Sequence, residues 1–158
     1  MKNMLVTLLL LFPVMIGAAC DQDSPAPAND DQNTMIETID SMSDTLVIKI
    51  GNKEFTATLS DNPTAAAFKA MLPLTFNITE LNGNEKYFRL SRNLPTNESN
   101  PGTIKSGDLM LYGSNTFVLF YETFSTSYNY TSLGKIANSN GLAEALGTGN
   151  VAVSISVK

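Results

Sequence analysis

The chain has 158 residues, with 15 acidic and 10 basic side chains and a formal charge of −5. It contains no histidine and a single cysteine, which excludes His-based triads, the common His-containing metal sites, an internal disulfide and a cysteine-rich zinc site. Seven acids and no Lys or Arg fall between Asp21 and Asp44, so the remainder is nearly neutral; with no basic stripe, nucleic acid is not an expected partner.

Residues 1–19 read as an export signal. Lys2 supplies the positive start, Met4 to Ile16 the apolar run, and Gly17-Ala18-Ala19 the small residues before a cleavage point. A transmembrane helix fits less well, because Pro13 interrupts the run and a bilayer needs about 20 apolar residues. Cys20 directly follows the small residues, an arrangement that resembles a bacterial lipobox, although Gly17 stands where Leu is commonest. Acylation there would anchor the protein to a bacterial membrane, at the outer membrane or the periplasmic face of the cell envelope; secretion with a free thiol is the alternative. The Asp-, Asn-, Ser- and Pro-rich stretch to Asp44 reads as an acidic disordered tether.

A folded domain is expected over residues 45–158. Thr45 to Ile50 and Glu54 to Leu59 read as a β-hairpin turned at Gly51-Asn52-Lys53. Asn62-Pro63 opens a helix, Asn62 as cap and Pro63 at the first position, where its missing N–H costs nothing; Pro73 ends it, and Phe68, Met71 and Leu72 face inward. Leu74 to Glu80 alternates as a strand with one wet face. Leu81 to Asn84 turns the chain into a short strand, Glu85 to Leu90. Asn93 to Lys105 reads as a mobile polar loop.

Leu109 to Tyr112 and Phe117 to Tyr121, reversed at Gly113-Ser114-Asn115, are apolar on both alternate sets, so each strand must be covered on both faces. Ser125 to Ser132 follows as a Ser-, Thr- and Tyr-rich connection, then a strand at Leu133 to Ile136, a short helix at Gly141 to Leu146 and an alternating strand at Val151 to Val157. The fold expected is mainly β: a closed or nearly closed barrel of about eight strands with two short helices.

The order of these blocks resembles the cyclophilins. Asn62-Pro63-Thr64-Ala65 through Phe68 to Leu72 is similar to the helix after the first hairpin in that family, and Leu133-Gly134-Lys135-Ile136 to its late V-F-G-x-V strand. Leu72-Pro73, Glu85 to Phe88, Gly107 to Gly113 and Phe120 to Ile136 resemble blocks of the smaller cyclophilin-like domains of bacterial exported proteins. The resemblance runs from Thr45 to Lys158 and implies a cyclophilin-like barrel.

It also implies a test for peptidyl-prolyl isomerase activity. The X–Pro barrier comes from amide resonance, and a donor aimed at the prolyl nitrogen beside an apolar slot for the ring would lower it. Alignment of Tyr87-Phe88-Arg89 on the family's F-H-R places Arg89 at the donor position, and Phe120 falls on a slot aromatic. Val118 replaces the family's Gln, Leu94 falls where a second slot Phe is expected, and no His exists to complete the set. If the protein is an isomerase, its catalytic residues are Arg89 and Phe120, and the activity is weak.

The leading expectation is a membrane-anchored binding or accessory domain without catalysis, with Tyr87, Arg89, Phe120, Tyr128 and Tyr130 at the ligand and no cofactor or metal. The ligand is an unidentified peptide or small molecule. A degenerate isomerase assisting exported proteins is the first alternative, and a structural subunit of an envelope assembly the second. Each residue also has a plainer reading: Arg89 as a solvent-facing charge, the phenylalanines as core, and Tyr128 and Tyr130 as a cover over one barrel end. Asp108, beside Gly107, is expected to fix a turn.

Overall fold

The structure, a computed structural model, describes residues 44–158; the export signal, Cys20 and the acidic tether up to residue 43 lie outside the described residues. In chain order the elements are β1 (Thr45–Ile50), β2 (Lys53–Leu59), α1 (Pro63–Lys69), β3 (Leu74–Leu81), β4 (Glu85–Arg89), β5 (Thr103–Ile104), β6 (Asp108–Tyr112), β7 (Thr116–Phe120), β8 (Phe124–Ser125), β9 (Thr131–Ile136), α2 (Leu142–Leu146) and β10 (Val151–Val157). Eight strands close an antiparallel barrel in the order β1-β10-β3-β4-β7-β6-β9-β2, and β5 and β8 pair separately.

Closure depends on the last strand. β10 alternates Val153 and Ile155 inward, both buried, and bonds β1 on one side and β3 on the other. Every barrel strand therefore has two neighbours, and among the described residues the barrel leaves no long edge to recruit another chain. The close approach of β2 and β9 depends on Gly134, where a Cβ would sit 2.4 Å from the Thr58 carbonyl oxygen. Opposite it, the β6–β9 register jumps from Leu109↔Gly134 to Met110↔Ser132, leaving Leu133 as the extra residue of a bulge.

The helices cover opposite ends. α1 starts as its sequence dictates: the Asn62 side chain accepts from the Ala65 N–H at 2.8 Å and Pro63 occupies the first turn. Its inward Phe68 stacks on Phe117, with centroids 5.4 Å apart, where β7 begins. Met71 and Leu72 lie beyond the helix, half-buried against the same core. α2 buries Leu142 and Leu146, and Gly149 just after it reaches Lys86 where β4 begins.

The central hairpin is buried on both faces, as its doubled apolar pattern requires. Leu109, Leu111, Phe117 and Leu119 point into the barrel and join the main core, whereas Met110, Val118 and Phe120 point outward into a second cluster with Ile104 and Tyr130. An irregular ribbon built from two segments covers that outer face. Residues 97–104 run against 124–131 through Ile104↔Phe124, Thr103↔Ser125, a Thr126 N–H bond to the Gly102 carbonyl and a reciprocal Ser99–Tyr130 pair at 2.9 and 3.0 Å. The stretch expected as a mobile polar loop thus carries a strand and is bonded along much of its length. Nearby, Leu94 is buried in the main core and Thr64 donates to the Pro95 carbonyl.

Candidate functional site

Strand alternation decides which face each residue of β4 serves. Lys86 and Phe88 point into the barrel, Phe88 stacking on Phe76 with centroids 4.2 Å apart. Glu85, Tyr87 and Arg89 point outward. Across the sheet Tyr87 pairs with Val118 and Arg89 with Thr116 on β7, and Thr116 pairs in turn with Tyr112 on β6. These positions make the floor of a cleft of about 340 Å³ on the outer barrel wall; Tyr128 and Tyr130 of the ribbon form its other side, and Leu81 and Asn82 of the β3–β4 turn close one end.

Of the residues singled out in the sequence, Tyr87, Arg89, Tyr128 and Tyr130 come together here, and Phe120 does not. Phe120 has no exposed surface. It lies under Tyr130, edge-on with centroids 5.5 Å apart, and against Phe124 at 5.8 Å. Its register is outward, but the ribbon covers that part of the wall, so it supports the cleft from beneath and is not among the residues that line it. Leu94, the other candidate slot position, is likewise buried.

The cleft is aromatic and carries opposite charges near its two ends. Four of the five tyrosines line it. Tyr112 stands edge-on to Tyr128 at 6.2 Å and tilted to Tyr130 at 5.6 Å, and Tyr128 is 61% exposed. Two ring faces are therefore held by other rings yet open to solvent, the arrangement that stacks on a planar or apolar ligand. Tyr130 is held by its backbone pair with Ser99; its hydroxyl is pushed up from the usual phenol value, first by burial and then by the charge of Glu85. Glu85 itself is raised by burial and by Glu80. Among the described residues neither Glu85 nor Arg89 has an ion pair.

Glu85, Tyr112, Thr116 and Val118 were not in the set expected from sequence. The period-2 rule applied backward from Arg89 and Tyr87 reaches Glu85, so that signal was present; Leu81 and Asn82 depend on how a turn folds over the sheet. Asp108 does fix a turn: it accepts from the Lys105 N–H at 2.8 Å and lies 3.7 Å from the Lys135 ammonium.

A model of the cyclophilin-like family matches residues 48–156, which is all but the ends of the barrel. The chain belongs to the cyclophilin-like family. No curated protein matches it. A similar solved structure is the solution structure of the hypothetical protein AF2241 from Archaeoglobus fulgidus, with 19% identity and a TM-score of 0.57 over 74% of this chain and 96% of that one; at that identity the likeness is one of fold. Within this cyclophilin-like barrel the cleft can bind by stacking, hydroxyl hydrogen bonds and ion pairing. It holds no nucleophile paired with a base, and among the described residues no group of three His, Cys, Asp or Glu side chains could hold a metal ion.

Proposed function

We propose that the protein is a cyclophilin-like binding domain, held in the bacterial cell envelope through a lipidated Cys20, that takes a peptide or small molecule in its outer cleft without chemical turnover. The observation that carries this reading is the cleft itself: open tyrosine rings beside a guanidinium and a carboxyl that have no ion-pair partner among the described residues. Such a surface has unspent capacity for a ligand. Catalysis is disfavoured because the aromatic that would complete a proline slot, Phe120, is closed off.

A weak prolyl isomerase is the second reading, favoured by one fact: Arg89 lines a hollow whose walls include Val118 and four tyrosines. A cis-to-trans assay on a proline peptide separates the two. The expected result is no acceleration over solvent; acceleration that disappears in Arg89→Ala establishes the isomerase instead. Mass spectrometry of the mature N-terminus tests the address, where a diacyl or triacyl Cys20 is expected and an unmodified thiol removes the anchor.

A further inference from the structure

We infer that the cleft's ligand is a short extended peptide of defined polarity, with a carboxylate at Arg89 and a cationic side chain about three residues away at Glu85. This rests on the binding reading above and adds the chemistry of the occupant.

Glu85 and Arg89 share the outer face of β4 and both line the cleft. Four residues of strand at about 3.3 Å each separate them by about 13 Å. Between them lies Tyr87, paired with Val118, an apolar floor that offers no charge of its own. An extended tetrapeptide spans about 10 Å between its first and last Cα atoms, and a long cationic side chain supplies the rest. Tyr112, in register with Arg89 through Thr116, and Tyr128 against it then flank the carboxylate end of such a peptide.

Charge fixes the direction. The Arg89 guanidinium matches a carboxylate fork, and a ligand that covered it without an anion would desolvate a lone charge. Glu85 is half-buried and lines the other end of the cleft, so an ammonium or guanidinium placed there pairs with its carboxylate. A reversed ligand sets like charges together at both ends, which is how a site rejects the wrong register.

The protein contains no tryptophan, so a tryptophan in the peptide reports binding by its own fluorescence. The probe is an acetylated tetrapeptide with lysine first, tryptophan third and a free C-terminal carboxylate. Comparison peptides carry a C-terminal amide, alanine in place of the lysine, or the two charges exchanged. The bipolar peptide is expected to bind at least about tenfold more tightly than each comparison peptide. Arg89→Gln should abolish the preference for carboxylate over amide, and Glu85→Gln the preference for lysine over alanine, each leaving the other preference in place. Equal binding of all four peptides overturns the bipolar assignment but leaves the binding domain standing. Binding by none of them, with the protein folded by circular dichroism, overturns the peptide assignment and leaves the cleft to a small-molecule ligand.

Discussion

The ring of Tyr130 stands at 88° to the ring of Phe120, their centroids 5.5 Å apart, so that a residue of the cleft wall rests on one with no exposed surface. This contact joins the second cluster to the site. Phe120 belongs to β7 and cannot move without the barrel, and Tyr130 is bonded through its backbone to Ser99; the aromatic wall inherits the rigidity of both.

Truncating Phe120 therefore should act on the cleft without touching a ligand. Phe120→Ala is expected to cost about 3–5 kcal/mol in urea unfolding, the range for a fully buried phenylalanine. Phe120→Leu keeps most of the volume and should cost about 1 kcal/mol. In that folded variant the near-ultraviolet circular dichroism of the tyrosines should weaken, because Tyr130 loses the edge that orients it. An unchanged spectrum would mean that the ribbon alone positions Tyr130.

The neighbour pair Lys86 and Glu80 carries a second prediction, inside the barrel. Lys86 has no exposed surface, bonds the Glu80 carboxylate and donates to the Gly149 carbonyl at 2.7 Å. Burial by itself would raise the Glu80 pKa, but hydrogen bonds from Lys86, Tyr121 and the Gly83 N–H, with the Lys86 charge, hold it below the usual value. A lowered folded pKa means stability that is present above the unfolded value near 4.5 and is lost as pH falls through the folded one. Lys86→Met leaves a partly exposed carboxylate without its cation and should cost about 1.5–3 kcal/mol at neutral pH, the range for a hydrogen bond to a charged group. It should also remove much of the acid-side loss expected in the parent's urea midpoints between about pH 5 and pH 3. A variant with the same acid limb as the parent would show that Lys86 does not set the carboxylate.

How much of this was legible follows from the same residues. The doubled apolar pattern of Leu109 to Tyr112 and Phe117 to Tyr121 demanded cover on both faces, and both are covered. Asn62-Pro63 marked the start of α1, and the alternation of Val151 to Val157 marked a strand with one inward face. β5 and β8 were not legible, because two residues carry no period; their pairing depends on two loops meeting across the outside of the barrel. Lys86 was not legible from its own neighbours. In Glu85-Lys86-Tyr87-Phe88-Arg89 a lysine reads as solvent-facing, yet it points inward because Glu80, six residues earlier and across a turn, meets it inside. Phe120 lies beneath the cleft for a related reason: its register is outward, but Phe124 and Tyr130 cover it.

Barrel closure makes a sharper prediction at Gly134. A Cβ there would lie 2.4 Å from the Thr58 carbonyl oxygen and 3.1 Å from the Leu59 Cα, both backbone atoms that cannot swing aside. Gly134→Ala should force β2 from β9 and destabilise by about 3 kcal/mol, the upper part of the overpacking range. Gly149→Ala is the control, since a Cβ there meets nothing within 4 Å, and it should change stability by no more than about 0.5 kcal/mol. Equal losses in the two variants would mean that the strand contact is not what requires Gly134.

Tyr121 is the one tyrosine outside the cleft, and its chemistry can be read separately. Its hydroxyl donates to Glu80 at 2.8 Å, and its ring lies 5.6 Å from the Lys86 ammonium. Burial first, then the hydrogen bond to Glu80 and that carboxylate's charge, push its pKa up to about 12. A raised folded pKa means stability that is complete below the unfolded value near 10 and declines as pH rises from there toward 12. Titrating the tyrosinate absorbance band should therefore show one late component near pH 12, and Tyr121→Phe should delete it while leaving the rest of the curve. The same variant forfeits one hydrogen bond to a carboxylate, so it should lose about 1.5–3 kcal/mol at neutral pH and show a flatter decline in stability between pH 10 and pH 12. A late component that survives the substitution would assign it to Tyr130, whose hydroxyl is also raised by burial, and would mean that Tyr121 does not donate to Glu80.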